Sequence, residues 1–245
     1  MESLGILYTS LVGAKKRDAG KRGSMSMKRI ANALRKLNWG KRAHAVLVLC
    51  AMTAMTVHAQ TFTTLLRFGR DIRLQAGLIQ GADGDFYGTT FYGGAYSNGS
   101  IFKITQSGTL TTLYSFCSQG FLCTDGNYPF AALVQATDGN FYGTTYEGGA
   151  NTGVSAGTVF KITPSGTLTT LYSFCSQSGC TDGSMPIAGL VQAANGDFYG
   201  TTQSGGANID SGTVFKITPS GRLTTLYSFC QQSGCTENGY WPFAG

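Results

Sequence analysis

Paired cysteines are the residues of this sequence whose type and spacing point most directly to chemistry. After residue 59 the chain has six cysteines in three close pairs: Cys117 and Cys123, Cys175 and Cys180, Cys230 and Cys235. Such thiols can form disulfides or a soft-metal site. A zinc site is disfavoured because no pair has Cys-x-x-Cys spacing and the only histidines, His44 and His58, lie upstream. We therefore expect three disulfides in an oxidising compartment, and no metal or cofactor.

Carboxylates are the second kind of group that could do chemistry, because glycosidases use a converging pair of acids. Five acids fall in segments where the repeats described below differ: Asp125, Glu147, Asp182, Asp210 and Glu237. They occupy differing repeat positions, so the pattern forces no two of them together. The lack of histidine after residue 59 excludes Ser–His and Cys–His nucleophiles there. We predict no catalytic residue; a carboxylate-dependent carbohydrate hydrolase or lyase is the alternative.

The elements that position these groups occur in three tandem repeats along the chain. The phrases AGLIQGADGDFYGTT (76–90), AALVQATDGNFYGTT (131–145) and AGLVQAANGDFYGTT (188–202) recur with a period of 55–58 residues. Each is followed by a phrase like GTVFKIT and then by one like SGTLTTLYSF. These runs predict four short strands per unit, named a to d. The a–b connection holds Asp-Gly or Asn-Gly, which suits a tight hairpin, and Asp83 with Asp85 indicates an Asx turn rather than a calcium loop.

Four-stranded units in tandem predict an all-β fold, a β-propeller of antiparallel blades. The repeats lie near 69–116, 117–174 and 175–229, and a broken repeat covers 230–245. The segment TFTTLLRF (61–68) aligns with TLTTLYSF (109–116), which predicts a lone strand d ahead of the first blade. Because known rings have about 4–8 blades, three complete blades predict a partial ring and a piece of a longer protein.

The first 59 residues have the pattern of a leader with a secretory signal peptide. They carry 11 of the 18 lysines and arginines, and an apolar run, AVLVLCAMTAMTV (45–57), precedes Ala59. We expect translation to start at Met27 and cleavage to follow Ala59; an uncleaved anchor is the alternative. The chain from residue 60 has seven basic and ten acidic residues, a net charge of −3. The signal peptide predicts a secreted or cell-surface protein, and the acidic charge of the mature part predicts no nucleic-acid partner. We also expect no membrane span in the mature part.

The repeat resembles the GloVer-type tandem repeat of exported bacterial proteins, the choice-of-anchor group. The resemblance rests on DGNFYGTTYEGGA, on GTVFKITPSGTLTTLYSF and on their order, and it covers about residues 61–245. The DG-x-F-Y-G-T core is also similar, more loosely, to propeller repeats of two-component sensor proteins. The resemblance implies an exported repeat protein, commonly with a C-terminal surface anchor, and it implies no catalytic residues.

Connection lengths separate two faces of the predicted propeller. The a–b and c–d connections keep one length in every repeat, whereas the b–c and d–a connections vary and the d–a segments hold the cysteines. In a propeller the b–c and d–a loops share one face, and variable loops on a rigid scaffold are where binding usually occurs. We expect each cysteine pair to staple a d–a loop on this variable face, which rigidifies the loop for a ligand or protects it from proteases.

The variable loops supply the candidate ligand-binding residues. Aromatic rings beside amides and carboxylates suit sugar rings, so the expected partner is an extracellular polysaccharide or a protein. For Tyr128 and Trp241, each before a proline, packing between blades is the alternative, and a purely structural surface repeat is the alternative for the whole chain. The candidates are Phe91, Tyr92, Tyr96, Asp125, Tyr128, Tyr146, Glu147, Asn151, Asp182, Gln203, Asn208, Asp210, Glu237, Tyr240 and Trp241.

Overall fold

The computed structural model describes residues 63–69, 72–120, 122–151, 156–207, 211–230 and 242. The chain divides into two units, Met1–Thr63 and Thr64–Gly245, and the description below concerns the second. The predicted signal peptide and its cleavage site lie outside the described residues. In the part of the chain that the structure describes, no helix is long and apolar enough to cross a membrane.

Three sheets of four strands make up the described fold, and each sheet follows the chain order with antiparallel neighbours. This confirms the predicted all-β blades. Strand a is very short, because only two of its residues pair with strand b in each blade. The first sheet has β1 (Ile79–Gln80), β2 (Phe86–Thr90), β3 (Ser100–Ile104) and β4 (Leu110–Ser115). The second has β5 (Val134–Gln135), β6 (Phe141–Thr145), β7 (Thr158–Ile162) and β8 (Leu168–Ser173). The third has β9 (Val191–Gln192), β10 (Phe198–Thr202), β11 (Thr213–Ile217) and β12 (Leu223–Ser228).

The a–b turns form because a short polar side chain bonds back to the turn backbone. The Asp83 Oδ1 atom accepts from the amide of Asp85 at 3.2 Å, and Asp138 Oδ1 accepts from the amide of Asn140 at 3.0 Å. Gly84 follows at a φ of 85°, which glycine adopts without strain. The Asx turn predicted for Asp83 and Asp85 is therefore present. In addition, Lys103 on β3 forms an ion pair with Asp85 at 2.9 Å.

Each blade packs on the next through the same set of contacts. The ring of Tyr87 lies 4.1 Å from that of Phe141, and the ring of Phe116 lies 5.3 Å from that of Phe160. The Thr89 hydroxyl donates to the Ala131 carbonyl at 3.1 Å. The second boundary repeats this pattern with Tyr142 and Phe198, Phe174 and Phe215, Thr144 and Ala188. The buried core therefore lies between sheets as well as within them.

The segment before the first blade differs from its prediction. Residues 63–69 form no strand, although TFTTLLRF was expected to be a strand d. In the blades, strand d exists because it pairs with strand c of its own sheet, and the described residues offer this segment no such neighbour. Phe68 nevertheless lies 5.2 Å from the ring of Phe102, the contact that strand-d phenylalanines make with the following blade. The segment thus takes the packing position of a strand d without its hydrogen bonds.

The third blade ends the described series, and the sheets do not close into a ring among the described residues. The Thr201 hydroxyl of this blade is the counterpart of the Thr89 and Thr144 hydroxyls. Unlike them, it is buried without a hydrogen-bond partner among the described residues. Val191 and Leu226 on the same blade are 59% and 50% exposed. The blades therefore form a partial propeller.

Candidate functional site

The d–a loops begin with a closed disulfide ring. Cys117 bonds to Cys123 and Cys175 bonds to Cys180, as the spacing predicted. Cys230 is disulfide-bonded as well, and its predicted partner Cys235 lies outside the described residues. Each of the two described bridges lies within one loop.

A buried aspartate accepts hydrogen bonds beside each of the two described disulfide bridges. Asp125 Oδ2 accepts from the Ser118 amide at 3.0 Å, from the Ser118 hydroxyl at 3.1 Å and from the Tyr114 hydroxyl at 2.7 Å. Asp182 makes the same three contacts with Ser176 and Tyr172. Both aspartates are buried, at 5% and 0% exposure. They were predicted as ligand contacts, and in the structure each also accepts hydrogen bonds from its own loop and from the preceding strand d.

The tyrosines that bond these aspartates are held in their neutral form. Burial raises the pKa of Tyr114 to about 12, and burial likewise raises the pKa of Tyr172 to about 12. A protonated phenol remains a donor at every physiological pH. Each tyrosine therefore ties its strand d to the loop that follows.

The d–a and b–c loops meet on one face, as the propeller prediction required. Short antiparallel bridges join Arg73 to Tyr92 and Asn127 to Glu147, and a third joins Ser184 to Ser204. Gly148 and Gly149 have φ values of 81° and 105°, which lets the second b–c loop turn sharply after its strand.

A cluster of aromatic rings lies on this face at the boundary of the first and second blades. Phe91 stacks on Tyr128 at 5.0 Å with 24° between the planes, and Tyr92 meets Tyr128 edge-on at 5.4 Å. Phe130 closes the cluster at 5.7 Å from Phe91. The Arg73 guanidinium carbon lies 5.5 Å from the centre of the Tyr92 ring. We call these five residues the aromatic cluster.

Part of the aromatic cluster faces solvent. Tyr92 is 37% exposed, and Tyr96 in the same loop is 53% exposed. Phe91 and Tyr128 are half-buried. Burial raises the pKa of the Tyr128 hydroxyl above its ordinary value. The predicted residues Phe91, Tyr92 and Tyr128 are thus brought together, and Tyr128 packs between two loops while keeping part of its ring accessible.

Sequence reasoning missed two members of the aromatic cluster, Arg73 and Phe130. Arg73 aligns with Asn127 and Ser184, the residues that form the bridges of the following blades. Alignment of the d–a segments by their bridge position would have placed it on this face. Phe130 aligns with Ile187, so the repeat pattern marks it only as an apolar position.

The remaining predicted residues are distributed differently. Asn151 donates to the carbonyls of Ser173 at 3.1 Å and Phe174 at 2.7 Å, so its amide supports the outer strand. Tyr146, Glu147 and Gln203 are half-buried on the second and third b–c loops. Asn208, Asp210, Glu237, Tyr240 and Trp241 lie outside the described residues.

Removing a disulfide should destabilise the fold measurably. We expect the double variant Cys175→Ser/Cys180→Ser to lower the free energy of unfolding by about 2 kcal/mol, because a ring this short restricts the unfolded chain only modestly. Urea denaturation of the oxidised proteins measures the loss. The Cys117→Ser/Cys123→Ser variant, with a ring one residue longer, should lose a similar amount. An unchanged urea midpoint in both variants would contradict a stabilising role for the bridges.

Comparison with solved structures gives distant similarities. One is the crystal structure of a protein provisionally assigned as a gluconolactonase, with a TM-score of 0.42, 16% identity, and coverage of 62% of this chain and 48% of that one. Another is the extracellular domain of a provisionally assigned hybrid two-component system from B. thetaiotaomicron, with a TM-score of 0.42, 17% identity, and coverage of 70% and 18%. The chain thus spans less than half the length of either solved chain. No curated protein matches the sequence.

The repeat itself is matched much more completely. The Gloeobacter/Verrucomicrobia repeat matches residues 50–244, which takes in all three blades and the segment that precedes them. This agrees with the resemblance found in the FYGTT, FKIT and LYSF phrases. The chain belongs to the Gloeobacter/Verrucomicrobia repeat family.

Proposed function

We propose that this protein is an exported binding module that takes an extracellular glycan on its variable loop face. The observation that carries the proposal is the aromatic cluster, with Tyr92 exposed on it. Sugar rings present apolar C–H faces and hydroxyl edges, so they favour accessible aromatic rings with polar groups beside them. Paired disulfides in the adjacent loops support export, because such bridges persist in oxidising compartments.

Of the two boundaries between described blades, only the first has this cluster. At the second boundary Tyr146, Glu147, Met185 and Ile187 stand where Phe91, Tyr92, Tyr128 and Phe130 stand at the first. A purely structural role would be served equally by either set, since both fill the space between loops. The concentration of rings at the first of these two described boundaries supports a ligand site there.

Polar groups around the rings supply the hydrogen bonds that a sugar requires. Arg73 lies over one side of Tyr92, and it is exposed. Tyr96 is exposed in the same loop, where its carbonyl accepts from the Asn98 amide at 2.9 Å. The site thus combines an aromatic platform with a cation and hydroxyl groups.

The test is the mobility of the full chain in native gels that contain soluble β-glucan, xylan, mannan or pectin. Retardation by one polysaccharide is the expected result. Tyr92→Ala should weaken this retardation about tenfold, because an aromatic contact of about 1.4 kcal/mol corresponds to that factor.

Tyr227→Ala is the matched control, since Tyr227 is also 37% exposed but lies on β12, away from the cluster. It should leave the retardation unchanged. Equal loss in both variants, or binding of a protein but no polysaccharide, would overturn the glycan proposal. In the second case the same pair of variants would tell whether the protein uses the aromatic cluster.

A further inference from the structure

A pocket at the boundary of the first two blades carries a separate inference. It opens between the first disulfide loop and β8, and it shares no lining residue with the aromatic cluster. Its lining residues are Tyr114, Gln119, Thr124, Asp125, Leu168 and Thr170. Polar groups therefore come mainly from the loop, and Leu168 adds an apolar wall from the neighbouring blade.

Asp125 is only half satisfied in this pocket. Its Oδ2 atom accepts three hydrogen bonds from Ser118 and Tyr114, whereas its Oδ1 atom is buried and accepts none among the described residues. A buried acceptor left without a donor destabilises the fold, and more so when the group is charged. Native proteins rarely leave such an atom without water, an ion or a ligand.

The second blade shows the same loop without the deficit. Asp182 Oδ1 accepts a hydrogen bond from the backbone amide of Gln177 at 3.4 Å. Its Oδ2 atom accepts the same three hydrogen bonds as Asp125 Oδ2, from the counterpart tyrosine and serine. The difference follows from loop length: the first ring separates its cysteines by six positions and the second by five. In the first loop the counterpart amide, that of Gln119, forms no hydrogen bond with Asp125 Oδ1.

The charge of Asp125 is also uncompensated. The ion pairs of the described residues join Lys103 to Asp85 and Lys216 to Asp197, both at a–b turns. Among the described residues, no lysine or arginine forms an ion pair with Asp125. An incoming donor that carries a positive charge is therefore favoured over a neutral hydroxyl, because a charge-assisted hydrogen bond is roughly twice as strong.

We propose that this pocket binds a primary alkylammonium group, the chemistry of a lysine side chain or of another free amine. The ammonium pairs with the Asp125 carboxylate, and the oxygens of Thr124 and Gln119, which also line the pocket, accept from its other protons. Leu168 lies along the aliphatic stem, since such stems pack on apolar surface while the charged end is hydrogen-bonded. The pocket thereby adds recognition of a cationic group to a chain that is acidic from residue 60 onward.

The experiment is an NMR titration of the full chain with Nα-acetyl-lysine amide, followed by the same titration with its Nε-acetylated form. The two probes match in shape near the stem and differ in charge. We expect saturable shifts of resonances from the first disulfide loop with the charged probe, and at least tenfold weaker binding of the acetylated one. Glucosamine in a third titration distinguishes an amino sugar, whose amine lies on a ring, from a flexible lysine chain.

Two variants localise the effect. Asp125→Asn should abolish the shifts, whereas Asp182→Asn removes the same charge from the counterpart loop and should leave them intact. If Asp125→Asn fails to fold, the comparison of the two probes on the unmodified protein still decides the question. Equal binding of both probes, no binding by any amine, or shifts that persist in Asp125→Asn would overturn the proposal and leave Oδ1 to a buried water. The Tyr92→Ala variant should bind the amine normally, so the glycan proposal and this one can fail separately.

Discussion

Replacing Gly157 with alanine should lower the free energy of unfolding by about 2–5 kcal/mol, among the largest losses expected of any single substitution in this chain. Gly157 has a φ of 86°, where a side chain costs about 1–2 kcal/mol. An added methyl group would lie 2.6 Å from Pro186 Cδ and 2.9 Å from the Tyr146 carbonyl oxygen, besides pressing on the Thr145 carbonyl. Backbone oxygens cannot rotate away, so overpacking adds about 1–3 kcal/mol.

Gly139→Ala is the control that separates these two causes. Gly139 has a φ of 80°, close to that of Gly157, but a methyl group added there would meet no atom within 4 Å. This variant should therefore lose only the conformational part, about 1–2 kcal/mol. Urea denaturation monitored by tyrosine fluorescence measures both losses. Equal midpoints for the two variants would show that the close approach around Gly157 is absent in solution.

The blades could be predicted from the sequence because their causes are local. The Asp-Gly and Asn-Gly pairs determine the a–b turns, and the FYGTT and TVFKI phrases form central strands that are buried or half-buried along their whole length. Phe141 and Phe160, for example, are both fully buried, as residues of a repeated apolar position should be. Repetition strengthened the prediction, since one interpretation had to fit three copies of the same phrase.

The parts that could not be predicted depend on contacts between distant residues. Asp125 has the appearance of an exposed loop acid, but Tyr114, eleven positions earlier, and the folded disulfide ring enclose it. The segment 61–68 has a sequence typical of strand d, but a strand also requires a neighbouring strand with free backbone groups. Arg73 joins the aromatic cluster only because a bridge pairs it with Tyr92 in another loop. Sequence pattern indicates the type of each residue but not these partners.

Both proposed sites lie where neighbouring blades depart from the repeat. The aromatic cluster stands where the next boundary has Tyr146, Glu147, Met185 and Ile187, and the disulfide loop beside Asp125 is one residue longer than its counterpart. The repeated contacts, such as Thr89 with Ala131 and Thr144 with Ala188, hold the blades in one arrangement. Variation can therefore accumulate on the loops without loss of the scaffold, which is why function is expected at the irregular positions.

Phe174→Ala should be as destabilising as the change at Gly157, for the opposite reason. Phe174 has no exposed surface, and its ring meets Tyr172 at 5.4 Å and Phe215 of the third blade at 5.1 Å. Truncation leaves a cavity at the boundary between two blades, and buried phenylalanines replaced by alanine lose about 3–5 kcal/mol. Urea denaturation should show a lower midpoint, with the slope unchanged if the blades still unfold together.

Phe68→Ala is the matched control for this loss. Phe68 makes the equivalent ring contact, 5.2 Å from Phe102, but it is half-buried and its segment forms no strand. Because fewer neighbours surround it, its removal should lower the free energy of unfolding by less than half as much as Phe174→Ala. Equal losses would mean that the segment before the first blade is as integral to the fold as a true outer strand. A small loss in Phe174→Ala would instead mean that the blades are held together mainly by their loops, since the ring contacts between sheets would then contribute little.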